Sequence, residues 1–257
     1  MKKALIASLL ALATMSSWAA VQGTIRTKNR DVKKGMIQWQ SRSKSYLIQS
    51  KKGATTLSSE VALDDVDSLD IDMPKGYENA VKAVTSGQPA AAIGVLSKIV
   101  DDYRMLIWDK SAGAYLVKAY LAMGDAQKAY TAAQTITRED PDAAWKGDLA
   151  PAYWQSLLKT GRKQQLENCL RKAATSGDRA TSAQALLMRG DIILSEGDTH
   201  DLHRKALIDA YLRVALMYTD EPCKAARVEA LEKSAKSFEK LDQSMRAEKL
   251  RAQAKQM

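Results

Sequence analysis

Cysteine, proline and phenylalanine are scarce in this chain: two, five and one among 257 residues. Two cysteines allow at most one bridge, which excludes the disulfide framework of small secreted folds. So few prolines leave long stretches with nothing to interrupt a helix. After residue 20 no segment is apolar over the roughly 20 residues that a membrane-spanning helix needs, so the mature chain is expected to be soluble. The familiar catalytic signatures are missing as well. There is no GxSxG, HExxH, GxxxxGKS/T or CxxC pattern. That weighs against an enzyme, although a site assembled from scattered residues would leave no such trace.

What is present begins with MKKALIASLLALATMSSWAA, which has the layout of a secretory signal: Lys2 and Lys3, an apolar run over residues 4–13, then small residues. Ser17 and Ala19 fit the positions three and one before a cleavage point, so cleavage is expected after Ala19. The alternative is a membrane anchor, but the run is about half the length a span requires. The reading is a signal peptide over 1–19, a small β module over 20–73 and a helical domain over 74–257. The mature protein is then periplasmic or secreted.

The formal net charge is +9, and losing Lys2 and Lys3 lowers it to +7. Residues 20–60 hold nine Lys or Arg against Asp31 and Glu60, and the acidic run Asp64, Asp65, Asp67, Asp70 and Asp72 follows. Such a basic stretch either attracts an anionic cell-envelope polymer, glycan or lipid, or is a solvated face. Runs at 24–27, 35–39, 46–48, 55–57 and 69–73 are short and partly alternating, and Pro74 ends them. They predict an antiparallel sheet of four or five strands. The placement of Gly35, Ile37, Trp39, Tyr46 and Ile48 is similar to SH3-like or Sm-like barrels, which implies a half-open barrel.

From Tyr77 onward the apolar spacing becomes helical, and Ala, Leu, Lys and Gln recur. Helices are expected over 76–86, 89–103, 109–123, 125–138, 146–160, 162–175, 179–196, 202–219, 222–240 and 243–254, as five hairpins. Gly147 falls in a first turn, and Pro89, Pro151 and Pro222 near helix starts. Gly87, Gly124, Gly161 and Gly197 sit at helix-ending turns, separated by 37, 37 and 36 residues. One hairpin cannot bury both of its faces, whereas copies stacked alongside make a continuous core. The fold class is therefore mainly α, an α-solenoid of about five helical hairpins behind a small antiparallel β domain.

The second hairpin carries Tyr120, Gly124-Asp125, Ala129 and Pro141 at the spacing of a tetratricopeptide repeat (TPR), and residues 77–254 resemble that family. Ala92, Ala173 and Gly190 extend the match. Gly113, Val117, Trp154 and Leu166 depart from it, and Pro222 lies 25 residues after Gly197 rather than 17, implying extra helical turns around 199–205. The resemblance implies a groove lined by first helices that grips a protein or peptide segment. Carried onto this chain, its groove positions are Lys118, Leu121, Gln155, Leu158, Lys159, Gln184, Leu187, Asp191 and Leu194. The lysines would meet acidic groups, the glutamines peptide groups, and the leucines apolar anchors.

Other constellations favour bland readings. Asp198, His200, Asp201 and His203 have a spacing that zinc uses, but capping by Gly197-Asp198-Thr199 in an exposed, mobile segment is preferred, and no metal or cofactor is expected. The acidic pairs Asp64-Asp65 and Asp101-Asp102 read as solvated faces. Trp108, Trp145 and Trp154 read as packing elements. Cys169 and Cys223 fall two hairpins apart and read as separate packing thiols, with a bridge as the alternative. Export argues against nucleic acid. The function expected is a non-catalytic exported adaptor, with a binder of anionic glycan or lipid through the β module as the alternative.

Overall fold

The computed structural model describes residues 20–53 and 55–257, so the export signal read at 1–19 lies outside the described residues. The chain divides into two units, with the boundary between Ser68 and Leu69.

The first unit is built on β1 (Val21–Thr27), β2 (Val32–Gln40), β3 (Ser45–Lys52), β4 (Thr55–Ala62) and the start of β5 (Val66–Ile71), which make one five-stranded sheet ordered β4-β3-β2-β1-β5. β1 to β4 form an antiparallel meander, with Val21 opposite Ile37, Trp39 opposite Tyr46 and Tyr46 opposite Val61. Alternation makes one face apolar: Val21, Ile25, Ile37, Trp39, Tyr46, Ile48 and Val61 are buried. The rings of Trp39 and Tyr46 lie 5.0 Å apart across the β2–β3 ladder. Gly35 is required where it stands, because a Cβ there would meet the Gln49 carbonyl oxygen at 2.3 Å.

The second unit is helical: α1 (Tyr77–Thr85), α2 (Pro89–Asp102), α3 (Trp108–Ala122), α4 (Ala126–Glu139), α5 (Leu149–Lys159), α6 (Lys163–Ala174), α7 (Arg179–Ser195), α8 (His200–Ala206), α9 (Leu212–Met217), α10 (Lys224–Lys240) and α11 (Ser244–Lys255). A π segment, Leu207–Tyr211, joins α8 to α9, so 200–217 serves as one long second helix. This is the extra length that the displaced Pro222 implied. The pairs α1/α2, α3/α4, α5/α6, α7 with α8–α9, and α10/α11 are five hairpins. The first helices touch in succession, α1 on α3, α3 on α5, α5 on α7 and α7 on α10. This is a solenoid of stacked helical hairpins.

Local chemistry sets the turns. Gly87, Gly124 and Gly161 take φ of 81°, 79° and 69°, a left-handed conformation that ends a helix at little cost only for glycine. Gly197 differs, at φ 158°: there the chain extends to Thr199, whose side chain accepts from Leu202 N at 3.3 Å and caps α8. The expected first-turn position of Gly147 is corrected. Its φ of 74° cannot be helical, so α5 begins at Leu149.

Two apolar clusters fill the stack, one from α1 to α7 and one from α7 to α11. α7 serves both, with Ala185 and Met188 in one and Ala183 and Leu187 in the other. Gly113 makes room for Ile136, whose Cδ1 would lie 2.1 Å from an added Cβ. Cys169 and Cys223 are free buried thiols in different clusters. Burial pushes both thiols up, that of Cys223 to about 11, aided by its bond to Asp220.

Candidate functional site

Helical spacing gives each first helix a stripe facing the same way. α3 presents Tyr115, Lys118 and Leu121, α5 presents Pro151, Trp154 and Gln155, α7 presents Thr181, Gln184, Leu187 and Asp191, and α10 presents Glu229 and Lys233. These stripes line two cavities of about 530 Å³ and 250 Å³. Lys118, Asp148, Pro151, Trp154 and Gln184 border both, so the two are stretches of one trough across the first-helix layer.

The trough has a fixed end and a free end. At the fixed end Asp191 accepts from Gln155 Nε2 at 2.7 Å, Tyr211 OH at 2.9 Å and Lys233 Nζ at 2.6 Å. One carboxylate thereby ties α5, the π segment and α10 to α7. Burial, then the neighbouring Asp191 charge, drives the Tyr211 hydroxyl far above its ordinary pKa, so it stays a donor. At the free end the Lys118 ammonium lies 4.8 Å from the Tyr115 ring centroid. Asp148 accepts from Ser111 Oγ at 2.5 Å. Trp154 is buried and spends its indole N–H on the Ala144 carbonyl at 2.8 Å, so it offers the trough a wall but no donor.

Six of the nine positions carried over by the family resemblance line this trough: Lys118, Leu121, Gln155, Gln184, Leu187 and Asp191. The other three lie off it. Leu158 and Leu194 are half-buried against the two apolar clusters, and Lys159 is exposed at the end of α5. Tyr115, Pro151, Trp154 and Lys233 were not singled out as groove residues. Pro151 stands ten residues before Gly161, as Leu187 stands ten before Gly197, so the same count finds it, whereas the fifth hairpin has no turn glycine to count from and Lys233 left no such signal.

The remaining candidates do not converge. His203, expected on an exposed segment, is buried: its Nε2 lies 2.7 Å from Asp198 Oδ1 and its Nδ1 3.2 Å from Ser237 Oγ. The reason is its helical face, shared with buried Ala206, Leu207 and Ala210. His200 and Asp201 are exposed, and no group of three metal-ligating side chains forms among the described residues. Trp108 packs edge-on against Tyr77 at 5.1 Å, and Trp145 lies beneath the Lys146 ammonium.

No protein-family model matches the chain, and no curated protein matches it. Two solved structures are similar. Both are of a protein of Podosopora anserina assigned as a kinesin light chain with nearly identical TPR-like repeats, one of them a point variant. The variant is 14% identical, with 70% of this chain and 91% of that chain covered and a TM-score of 0.43. The other has the same identity and coverage and a TM-score of 0.36.

Proposed function

We propose that this chain is a non-catalytic adaptor whose first-helix trough receives an extended or helical segment of another protein. The observation that carries the reading is the trough itself, in which a free lysine end, a glutamine and apolar walls stand beside a carboxylate already satisfied within the chain. Gln184 is placed to bond peptide groups, Lys118 to meet an acidic side chain or a terminal carboxylate, and Leu121 with Pro151 to bury an apolar anchor. Asp191 acts differently from the expectation for a groove position, because it holds the wall rather than the ligand. The signal-like residues 1–19 support an exported setting, and the amino-terminal sequence of the mature protein tests it.

Crosslinking in cells with a photoreactive residue at Leu121, followed by identification of the attached protein, supplies the partner. Lys118→Glu and Lys159→Glu then make a matched pair, since the same charge change falls inside the trough in one and outside it in the other. Capture should drop at least tenfold for the first, about 1.4 kcal/mol, and stay near the parent level for the second. Equal capture by both variants would move the interface off this face.

A further inference from the structure

We propose that the outward face of the β1–β2–β3 sheet is a docking surface for an anionic phospholipid bilayer. This rests on the first unit alone and is independent of the trough.

The register defines the face. Arg26 is opposite Val32, Thr24 opposite Lys34, and Met36 stands between Gln22 and Gln49. Continuing the β2–β3 pairing by two positions brings Lys34 and Lys51 to one level, so Arg26, Val32, Lys34, Met36 and Lys51 share the side opposite buried Ile25, Ile37 and Ile48. All five are exposed, Val32 at 56% and Met36 at 38%. The β1–β2 turn adds Lys28 and Arg30 at the same end of the meander. Among the described residues none of these cations makes an ion pair with a carboxylate, although Asp31 lies in the turn and the Asp65 carbonyl accepts from Lys28 N at 2.9 Å.

Cations that decline nearby carboxylates and flank two bare apolar side chains match a surface offering both phosphate charge and acyl depth. An anionic bilayer attracts each nearby Lys or Arg and takes up Val32 and Met36 at the interface. A glycan or a nucleic acid fits less well. Such ligands stack on exposed aromatic rings, and the two aromatics of this sheet, Trp39 and Tyr46, are buried against each other.

The test is sedimentation of the full chain with vesicles of phosphatidylcholine alone or mixed with phosphatidylglycerol, at low and high salt. Every variant keeps residues 1–19, so any contribution from that apolar run is common to all. The expected result is binding to the anionic vesicles that falls with salt, drops at least tenfold in Lys34→Glu/Lys51→Glu, and drops severalfold in Val32→Ser/Met36→Ser with the charges intact. Unchanged circular dichroism and melting of each variant separate lost binding from lost folding. Equal binding to neutral vesicles, or no loss in the charge-reversed variant, overturns the proposal. So does loss of binding to soluble dextran sulfate on charge reversal without any vesicle binding, which would assign the face to a soluble polyanion.

Discussion

Replacing one glycine by alanine at two helical positions should move stability in opposite directions. Gly94 is exposed within α2, and a Cβ there meets nothing within 4 Å. Alanine at that site removes the backbone entropy penalty of a helical glycine, a gain of about 0.5–1 kcal/mol. Gly190 is buried within α7, and a Cβ there would lie 2.3 Å from Tyr211 Cε1 and 2.7 Å from Cζ. The ring cannot swing aside, because Tyr211 is 1% exposed and its hydroxyl is bound to Asp191.

Overpacking of that kind costs about 1–3 kcal/mol, and a displaced Tyr211 forfeits a hydrogen bond of about 1 kcal/mol. The same propensity gain offsets part of this. Gly190→Ala should therefore be less stable than the parent by about 1–3 kcal/mol. For a unit of this size each kcal/mol shifts the melting temperature by about 2–4 °C. Because repeat arrays can unfold in parts, the midpoint is best followed by circular dichroism together with tryptophan fluorescence. Adding Tyr211→Leu should make the alanine cheaper, with a coupling of at least about 1 kcal/mol in a double-mutant cycle. If Gly190→Ala were as stabilising as Gly94→Ala, the tight α7–π contact and the argument built on it would both be wrong.

Two further outcomes follow from the buried ionisable groups. Cys169 and Cys223 should resist an alkylating reagent at neutral pH in the folded chain and react with the onset of unfolding, because burial keeps both thiols protonated; rapid labelling of either in native protein contradicts this. Asp109, which accepts from Met105 N at 2.8 Å, has its carboxyl pKa raised, chiefly by burial. A raised folded-state pKa contributes stability that is full below the unfolded value and lost as pH rises through the folded value. Asp109→Asn should therefore gain on the parent in denaturant midpoint as pH climbs from acid to neutral; a difference independent of pH refutes the assignment.

How far the sequence could be read depended on the range of the interaction concerned. The glycine period was legible because three of its four glycines meet a local demand, a left-handed turn satisfied by one residue without reference to the rest of the chain. The lengthened fourth hairpin was legible for a similar reason, as a displaced proline. Gly113, a departure from the family pattern, was visible as an oddity but not as a contact, since its cause is Ile136 on the neighbouring helix. His203 was misplaced because its polar neighbours outweighed the helical spacing that joins it to Ala206 and Ala210. Asp191 shows the limit most clearly. Counting from the turn put it on the trough, but its partners Tyr211, Gln155 and Lys233 are 20, 36 and 42 residues away. One repeat period separates it from Gln155, and roughly one more from Lys233, so stacking brings together three residues that no local window contains. A repeat architecture thus discloses many of its trough-lining positions by counting, while concealing which of them the neighbouring repeats have already occupied.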